Sequence, residues 1–287
     1  MSFSAIILAA GKGTRLKSDL PKPLHKVAGM PLLGWVTGAL NSAGADSIFT
    51  VISPGSQQIE SWLAGSPAII QEPQNGTGHA ALCCLDRLQA LGDKPVIILF
   101  ADDLGYGDLG VYGHPTIRTP NLDAMASKGM KFTNFYSGSP ACTASRYALL
   151  TGRYPIRSGF QWVLYPNSSR GIHSKEYTLA EGMKDAGYTT ACFGKWHLGT
   201  TKKEYLPLQN GFDEYFGLPY SNDMIPPLWN DIPLLEGNDT ISLNPDQKTL
   251  TKQYTERAID FITKHSHDPF FIYVPYAMPH LPLHPGE

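Results

Sequence analysis

The chain has 287 residues, 42% of them hydrophobic and 17% charged, and 23 basic against 25 acidic side chains give a formal net charge of −2. This composition excludes a disordered tail, a collagen-like chain, a small disulfide scaffold and a strongly basic nucleic-acid-binding protein. The length suits one large α/β domain or two smaller ones. The four cysteines are too sparse for a disulfide framework and leave the redox compartment open.

The first ninety-odd residues alternate short apolar runs with stretches of helical spacing. The predicted strands are 5–10, 47–52, 68–71 and 96–101, and the predicted helices are 32–43, 57–64 and 78–91. Regular alternation of this kind predicts a parallel sheet that is covered on both faces. Ligands of such sheets gather at the carboxyl ends of the strands.

Beyond residue 101 the sequence becomes rich in Gly, Pro and Tyr, and the elements lie further apart. The predicted helices are 121–128, 143–152, 178–186 and 250–264, and the predicted strands are 130–137, 189–194 and 270–276. Many Pro, Asn and Asp residues in 206–244 predict a long functional loop region.

The N-terminal apolar run, 5–10, is short and has no charged region before it. This pattern predicts neither a signal peptide nor a membrane span. We therefore expect a cytoplasmic location, with no membrane partner and no nucleic-acid partner.

A glycine turn follows the first predicted strand at residues 11–15, and Lys12, Arg15 and Lys22 add cations around it. Backbone N–H groups in such a turn, together with nearby cations, suit a triphosphate. The alternative is a glycine-rich βα turn that binds no ligand.

The segments 8–16, 21–24 and 71–80 read L-A-A-G-K-G-T-R-L, P-K-P-L and Q-E-P-Q-N-G-T-G-H-A. They resemble the sugar-1-phosphate nucleotidyltransferases, most closely the bacterial N-acetylglucosamine-1-phosphate uridyltransferases. The resemblance implies a Rossmann-like parallel-sheet domain, binding of UTP, and Mg²⁺ held by an aspartate at the end of strand 96–101. The nucleotide-binding residues that it implies are Leu8, Gly11, Lys12, Arg15, Lys22, Gln71, Gly76 and Thr77. The family's sugar-binding residues are not found, so we expect binding at most.

Two further features lie beyond this segment. Asp102 and Asp103 follow strand 96–101, and Cys142 begins a predicted helix that also carries Arg146. A cysteine at a helix N-terminus beside an arginine lies in positive potential, which favours the thiolate and attracts an anion. Taken singly, the alternatives are a solvated turn for the aspartates and a buried small hydrophobe for the cysteine.

Residues 142–152 read C-T-A-S-R-Y-A-L-L-T-G, and G-K-W-H-L-G at 194–199 and P-H-L-P at 279–282 follow. These motifs resemble the type I sulfatases, in particular the arylsulfatase A and N-acetylgalactosamine-6-sulfatase branch. The resemblance implies an alkaline-phosphatase-like α/β fold and a sulfate ester substrate. It also implies that a formylglycine-generating enzyme oxidises Cys142 to formylglycine, whose hydrate attacks sulfur.

The same resemblance assigns roles to the other site residues. Asp102, Asp103 and the modified Cys142 would bind Ca²⁺, and Arg146 would anchor the nucleophile. The remaining implied catalytic residues are Lys195 and His280, which would contact the sulfate and the leaving oxygen, and His197 and Ser221, which would orient or deprotonate the nucleophile.

The family completes its calcium site with an Asp-Asn pair and a lysine after the P-H-x-P segment, and no such pair is found after residues 279–282. We therefore expect a crippled metal site and little or no turnover. The sequence is interpreted as a chimera of two incomplete α/β domains, 1–95 and 96–287. Three functions stay open: a sulfuric ester hydrolase, a nucleotide-binding remnant and a non-catalytic hybrid.

Overall fold

The structure, a computed structural model, describes residues 3–10, 18–42, 45–72 and 95–286. The chain divides into two compact units. The first unit takes its residues from 1–92 and 121–133, and the second takes its residues from 93–120 and 134–287. The predicted helix 78–91 lies outside the described residues.

The first unit contains a three-stranded parallel sheet and a two-stranded antiparallel ribbon. Its elements are β1 (Phe3–Leu8), β2 (Lys26–Val27), β3 (Met30–Pro31), α1 (Leu32–Ser42), β4 (Ala45–Ile52), α2 (Gln57–Leu63) and β5 (Ala68–Ile70). The sheet of order β1-β4-β5 is parallel, as the alternation of strands and helices predicts.

Helical periodicity explains how α1 and α2 cover this sheet. In α2, Ile59 and Leu63 are one turn apart and both are buried. They pack with Leu33 of α1 and with Ile7 and Ile52 of the strands in one apolar cluster. The cluster gives the first unit its own hydrophobic core.

The second unit is built on a six-stranded mixed sheet of order β10-β9-β8-β7-β11-β6. Its strands are β6 (Val96–Phe100), β7 (Thr189–Phe193), β8 (Glu214–Gly217), β9 (Pro233–Glu236), β10 (Asp239–Leu243) and β11 (Phe270–Pro275). Of the helices that follow α2 along the chain, α3 (Pro120–Ser127) lies almost entirely in the first unit. The second unit contains α4 (Cys142–Thr151), α5 (Leu179–Asp185) and α6 (Gln247–Lys264). Strands β6, β11, β7 and β8 run parallel, whereas β9 and β10 are antiparallel to their neighbours.

Strand β11 lies inside this sheet, and every one of its residues is buried. Its side chains alternate between two clusters: Phe271 and Tyr273 pack on one side with Tyr147 of α4, whereas Ile272 packs on the other with Tyr254 of α6. A continuous apolar run of this kind is typical of a strand with both faces covered.

None of the described helices is long and apolar enough to cross a membrane.

Strand β6 occupies one edge of the six-stranded sheet and pairs there with β11. Val96, Ile97 and Leu99 are 36%, 45% and 53% exposed. The strand that both family resemblances include therefore belongs to the sheet of the second unit.

The prediction of a strand at 130–137 is wrong, because the described backbone there is irregular. The β-branched and aromatic residues of this segment favour a strand only where they can pack on a pleated surface. Phe135 and Tyr136 are instead 75% and 82% exposed.

The prediction of a long loop at 206–244 is also wrong, because β8, β9 and β10 lie within it. Pro233 is the first residue of its strand, a position where proline is tolerated. Gly237, with φ 61°, lies between β9 and β10 and lets the chain reverse. The Pro, Asn and Asp residues that indicated a loop mark turns between strands of only four or five residues.

Candidate active site

The carboxyl ends of the four parallel strands of the second unit bring the sulfatase-like residues together. Asp102 follows β6, Lys195 and His197 follow β7, Ser221 follows β8, and His280 follows β11. Backbone hydrogen bonds tie these loops to one another. Lys195 N donates to the carbonyl of Pro275 at 2.8 Å, and His197 N donates to that of Pro219 at 3.0 Å.

Asp102 is the centre of a buried ion cluster. Its Oδ1 lies 3.0 Å from Nη2 of Arg146, and its Oδ2 accepts a hydrogen bond from Nζ of Lys195 at 2.5 Å. Lys195 also donates to Ser221 Oγ at 2.8 Å, and Arg146 donates to the carbonyl of Lys195 at 2.7 Å. Two cations facing one carboxylate leave one positive charge in the cluster, which suits an anion.

The pKa shifts follow from this arrangement. Burial by itself raises the pKa of Asp102, but Arg146 and Lys195 outweigh burial and hold that pKa below its ordinary value. Burial and the charge of Arg146 lower the pKa of Lys195, against the opposing effect of Asp102. Asp102 is therefore ionised at neutral pH.

Cys142, the first residue of α4, contacts a neutral histidine. Its Sγ lies 3.2 Å from Nδ1 of His197, and Nε2 of the same ring lies 2.7 Å from the carbonyl oxygen of Leu164. A carbonyl can only accept, so Nε2 carries the proton and Nδ1 presents a lone pair to the thiol. Burial and the charge of Lys195 lower the pKa of His197 well below its ordinary value, which keeps the ring neutral.

The prediction that the Cys142 thiolate is favoured is wrong. Burial raises the pKa of the Cys142 thiol above its ordinary value, although Lys195 opposes the shift. The negative charge of Asp102 adds to the increase. The thiol is therefore protonated at neutral pH and donates to His197.

Two non-glycine residues of the site adopt left-handed backbone conformations. Asp103 and His197 each have φ of 60°, a region that is sparsely populated for such residues. Close packing surrounds Gly194, three residues before His197: a Cβ on Gly194 would lie 2.1 Å from the carbonyl oxygen of Pro275. The turn after β7 therefore requires glycine at 194 for Lys195 and His197 to reach the cluster.

Asp103 and His280 form a second, more exposed pair beside the cluster. Nε2 of His280 lies 3.7 Å from Oδ2 of Asp103. The two residues lie at the mouth of the site rather than in its buried part, because the side chain of Asp103 is 59% exposed.

The sequence does not predict the contact of His197 with the carbonyl of Leu164. A backbone acceptor can belong to any residue type, so no residue in the sequence indicates it.

The nucleotide-binding residues implied for the first unit are only partly described. Leu8 ends β1, Lys22 begins a short 3₁₀ helix, and Gln71 follows β5 with its side chain buried. The remaining implied residues, Gly11, Lys12, Arg15, Gly76 and Thr77, lie outside the described residues.

Residues 94–287 match the family model described as Sulfatase, which covers more than half of the chain. This chain belongs to the sulfatase family. Residues 5–104 match the model of the MobA-like NTP transferase domain, so the two matches overlap on 94–104. Sulfatase ancestry and a nucleotidyltransferase-like segment thus lie in one chain.

Among curated proteins, the chain is 40% identical to N-acetylgalactosamine-6-sulfatase of Homo sapiens over 67% of this chain and 40% of that protein. It is also 40% identical to arylsulfatase A of Bos taurus, over 70% of this chain and 44% of that protein. Among solved structures, PsFucS1 sulfatase from Pseudoalteromonas sp. matches with a TM-score of 0.60 and 27% identity, over 76% of this chain and 50% of that chain. The chain spans less than half the length of these curated relatives.

The described residues do not form a calcium site by themselves. Ca²⁺ takes six to eight oxygen ligands, whereas the described residues contain no group of three or more His, Cys, Asp or Glu side chains that could hold a metal ion. Both oxygens of Asp102 already face Arg146 or Lys195. A metal ion would have to displace one of these cations.

Calorimetric titration of the unmatured protein with CaCl₂ should therefore show no tight one-to-one binding. The Asp102→Asn variant, which removes the charge of the implied ligand, should give the same heats as the parent protein. A stoichiometric signal that this variant abolishes would contradict the ligand count.

Alkylation of Cys142 by iodoacetamide should be slow at neutral pH, because the raised pKa keeps the thiol protonated at that pH. The alkylation rate should continue to increase with pH above pH 9. Peptide mass spectrometry of the unmatured protein measures the rate at each pH. Cys192, which is fully buried, is the internal control and should stay unmodified in the folded protein. A Cys142 rate that has reached its plateau by pH 7 would contradict the assignment.

Proposed function

We propose that the second unit carries a formylglycine-dependent sulfuric ester hydrolase site of the arylsulfatase type, with Cys142 as the residue that matures. The observation that carries this proposal is the cluster of Asp102, Arg146 and Lys195 beside the Cys142–His197 pair. A sulfate monoester brings one negative charge, which matches the one positive charge of the cluster. A sulfate ester bound by this cluster would lie next to Cys142, the residue that would supply the nucleophile.

The residues of the site would share the chemistry as follows. Formylglycine, when present at position 142 and hydrated, supplies a hydroxyl group that attacks sulfur. Arg146 and Lys195 would hold the sulfate oxygens, with Ser221 positioning the lysine through its 2.8 Å hydrogen bond. Nδ1 of the neutral His197 is the atom that can accept the proton of the attacking hydroxyl group at position 142.

His280 is suited to the leaving oxygen. It lies at the exposed side of the site, with its Nε2 3.7 Å from Oδ2 of Asp103. A histidine at this place can act as the general acid that gives a proton to the oxygen that departs from sulfur. Because the described residues do not complete a calcium site, we expect slow turnover.

Hydrolysis of 4-nitrophenyl sulfate tests this function on protein co-expressed with a formylglycine-generating enzyme, the maturation partner that the proposal requires. We expect slow release of 4-nitrophenol that disappears in Cys142→Ala and falls by about 100-fold in Lys195→Ala, which lacks one donor to the anion. Peptide mass spectrometry should find the aldehyde at position 142.

Cys192→Ala is the matched control, because Cys192 lies in β7, outside the site, and should not affect the rate beyond its effect on folding. Release of 4-nitrophenol that persists in Cys142→Ala would contradict the proposal. Matured protein with no release above background would favour the non-catalytic hybrid.

We propose a second candidate function, nucleotide binding, for the first unit as a partial domain of residues 1–95. The observation that favours it is the parallel β1-β4-β5 sheet, at whose carboxyl end Gln71 is buried. Residues 5–104 match a nucleotidyltransferase model, which supports UTP with Mg²⁺ as the ligand. Lys22, at the start of the 3₁₀ helix, would pair with the phosphates.

UTP with Mg²⁺ should raise the thermal unfolding midpoint of the first unit, because a ligand at 100 times its Kd contributes about 2.7 kcal/mol to the folded state. Lys22→Ala should lose most of this shift. The matched control is Lys26→Ala, another exposed lysine of the same unit, which should keep it. A shift of equal size in both variants would contradict phosphate binding by Lys22.

A further inference from the structure

The second unit contains a stacked aromatic pair, Tyr165 and Trp229, that is separate from the charge cluster. The rings of Tyr165 and Trp229 stack with their centroids 5.0 Å apart and their planes 14° apart. Tyr165 is 44% exposed, while Trp229 is half-buried and packs against the apolar cluster that contains Tyr254 of α6. One side of the stack is thus anchored in the core and the other faces solvent.

Tyr165 is attached to the active site through its neighbour in sequence. The backbone N–H of Leu164 donates to Thr143 Oγ1 at 3.0 Å, and its carbonyl accepts from Nε2 of His197 at 2.7 Å. Consecutive Cα atoms are about 3.8 Å apart, so Tyr165 begins one residue from the contact that orients the catalytic imidazole.

Trp229 is connected to the site through a second loop, which begins at Ser221. Ser221, which accepts from Lys195, starts a loop with two turns: Met224 N donates to the carbonyl of Ser221 at 3.1 Å, and Trp229 N donates to that of Ile225 at 3.2 Å. Two loops that leave the cluster from different residues therefore meet again in the stacked rings.

We propose that Tyr165 and Trp229 form a stacking platform for the ring that carries the sulfate ester, a flat ring with an apolar face. This inference rests on the proposed function, since the buried positive charge takes the sulfate. An aryl ring and the apolar face of a pyranose share this chemistry, and both stack on exposed aromatic side chains. The buried cluster thus binds the sulfate group through its charge, and the platform binds the ring that carries the sulfate.

Ligand-observed NMR titrations on the Cys142→Ala background separate these two contributions without turnover or maturation. The ligands are inorganic sulfate, methyl sulfate, 4-nitrophenyl sulfate and a hexopyranose 6-sulfate. We expect at least one ring ester to bind about 10-fold more tightly than methyl sulfate, as one aromatic stacking contact allows. The ester that shows the advantage identifies the ring as aryl or pyranose.

Trp229→Ala on the same background should remove this advantage and leave the Kd of inorganic sulfate within about twofold, since the charge cluster stays intact. Trp229→Phe should retain most of it, because a ring remains to stack. Trp162→Ala is the matched control: Trp162 is 65% exposed in the same unit, and its removal should change neither Kd.

The outcomes distinguish the platform from the anion site. Inorganic sulfate binding with equal affinities for methyl sulfate and both ring esters would overturn the platform while the proposed function stands. A ring advantage that survives Trp229→Ala would overturn it as well. Binding of none of the four ligands would overturn the anion site and, with it, the platform.

Discussion

The pairing of one buried carboxylate with two buried cations is the interaction on which the second unit depends. Asp102 joins the end of β6 to Arg146 of α4 and to Lys195 after β7. Removing one partner of a buried pair typically costs about 3–5 kcal/mol, because a charge remains in a low-dielectric environment without compensation. The three segments are therefore held in one geometry, and Cys142, at the start of the same helix, takes its position from them.

This arrangement separates charge from proton transfer. The cluster supplies the positive potential, while Cys142 and His197 are both neutral in the absence of a ligand. Protonation of His197 would place another cation beside Lys195 and would remove the lone pair that Nδ1 presents. The burial that lowers its pKa thus preserves the ability of His197 to accept a proton. The same burial keeps the unmodified thiol from acting as a thiolate.

The sequence predicts the members of the site better than their states. The strands that precede Asp102 and Lys195 can be predicted because parallel strands carry continuous apolar runs, and the motifs mark the polar residues that follow. The pKa of Cys142 cannot be predicted in this way. The sequence shows that Cys142 begins a helix beside an arginine, but it does not show the burial that outweighs both effects. The contact of His197 with the carbonyl of Leu164 is hidden for the same reason, because it joins residues 33 positions apart through a backbone atom.

Strand β6 shows how the site and the sheet determine each other. Residues 94–104 match both family models, so similarity alone assigns this strand to either sheet. Its apolar residues do not decide the assignment, because Val96, Ile97 and Leu99 are all at least one-third exposed at the sheet edge. The charge of Asp102 does decide it: the carboxylate is compensated where β6 lies beside β11 and within reach of Arg146 and Lys195. The pairing of β6 with β11 and the two ion pairs of Asp102 therefore depend on the same position of this strand.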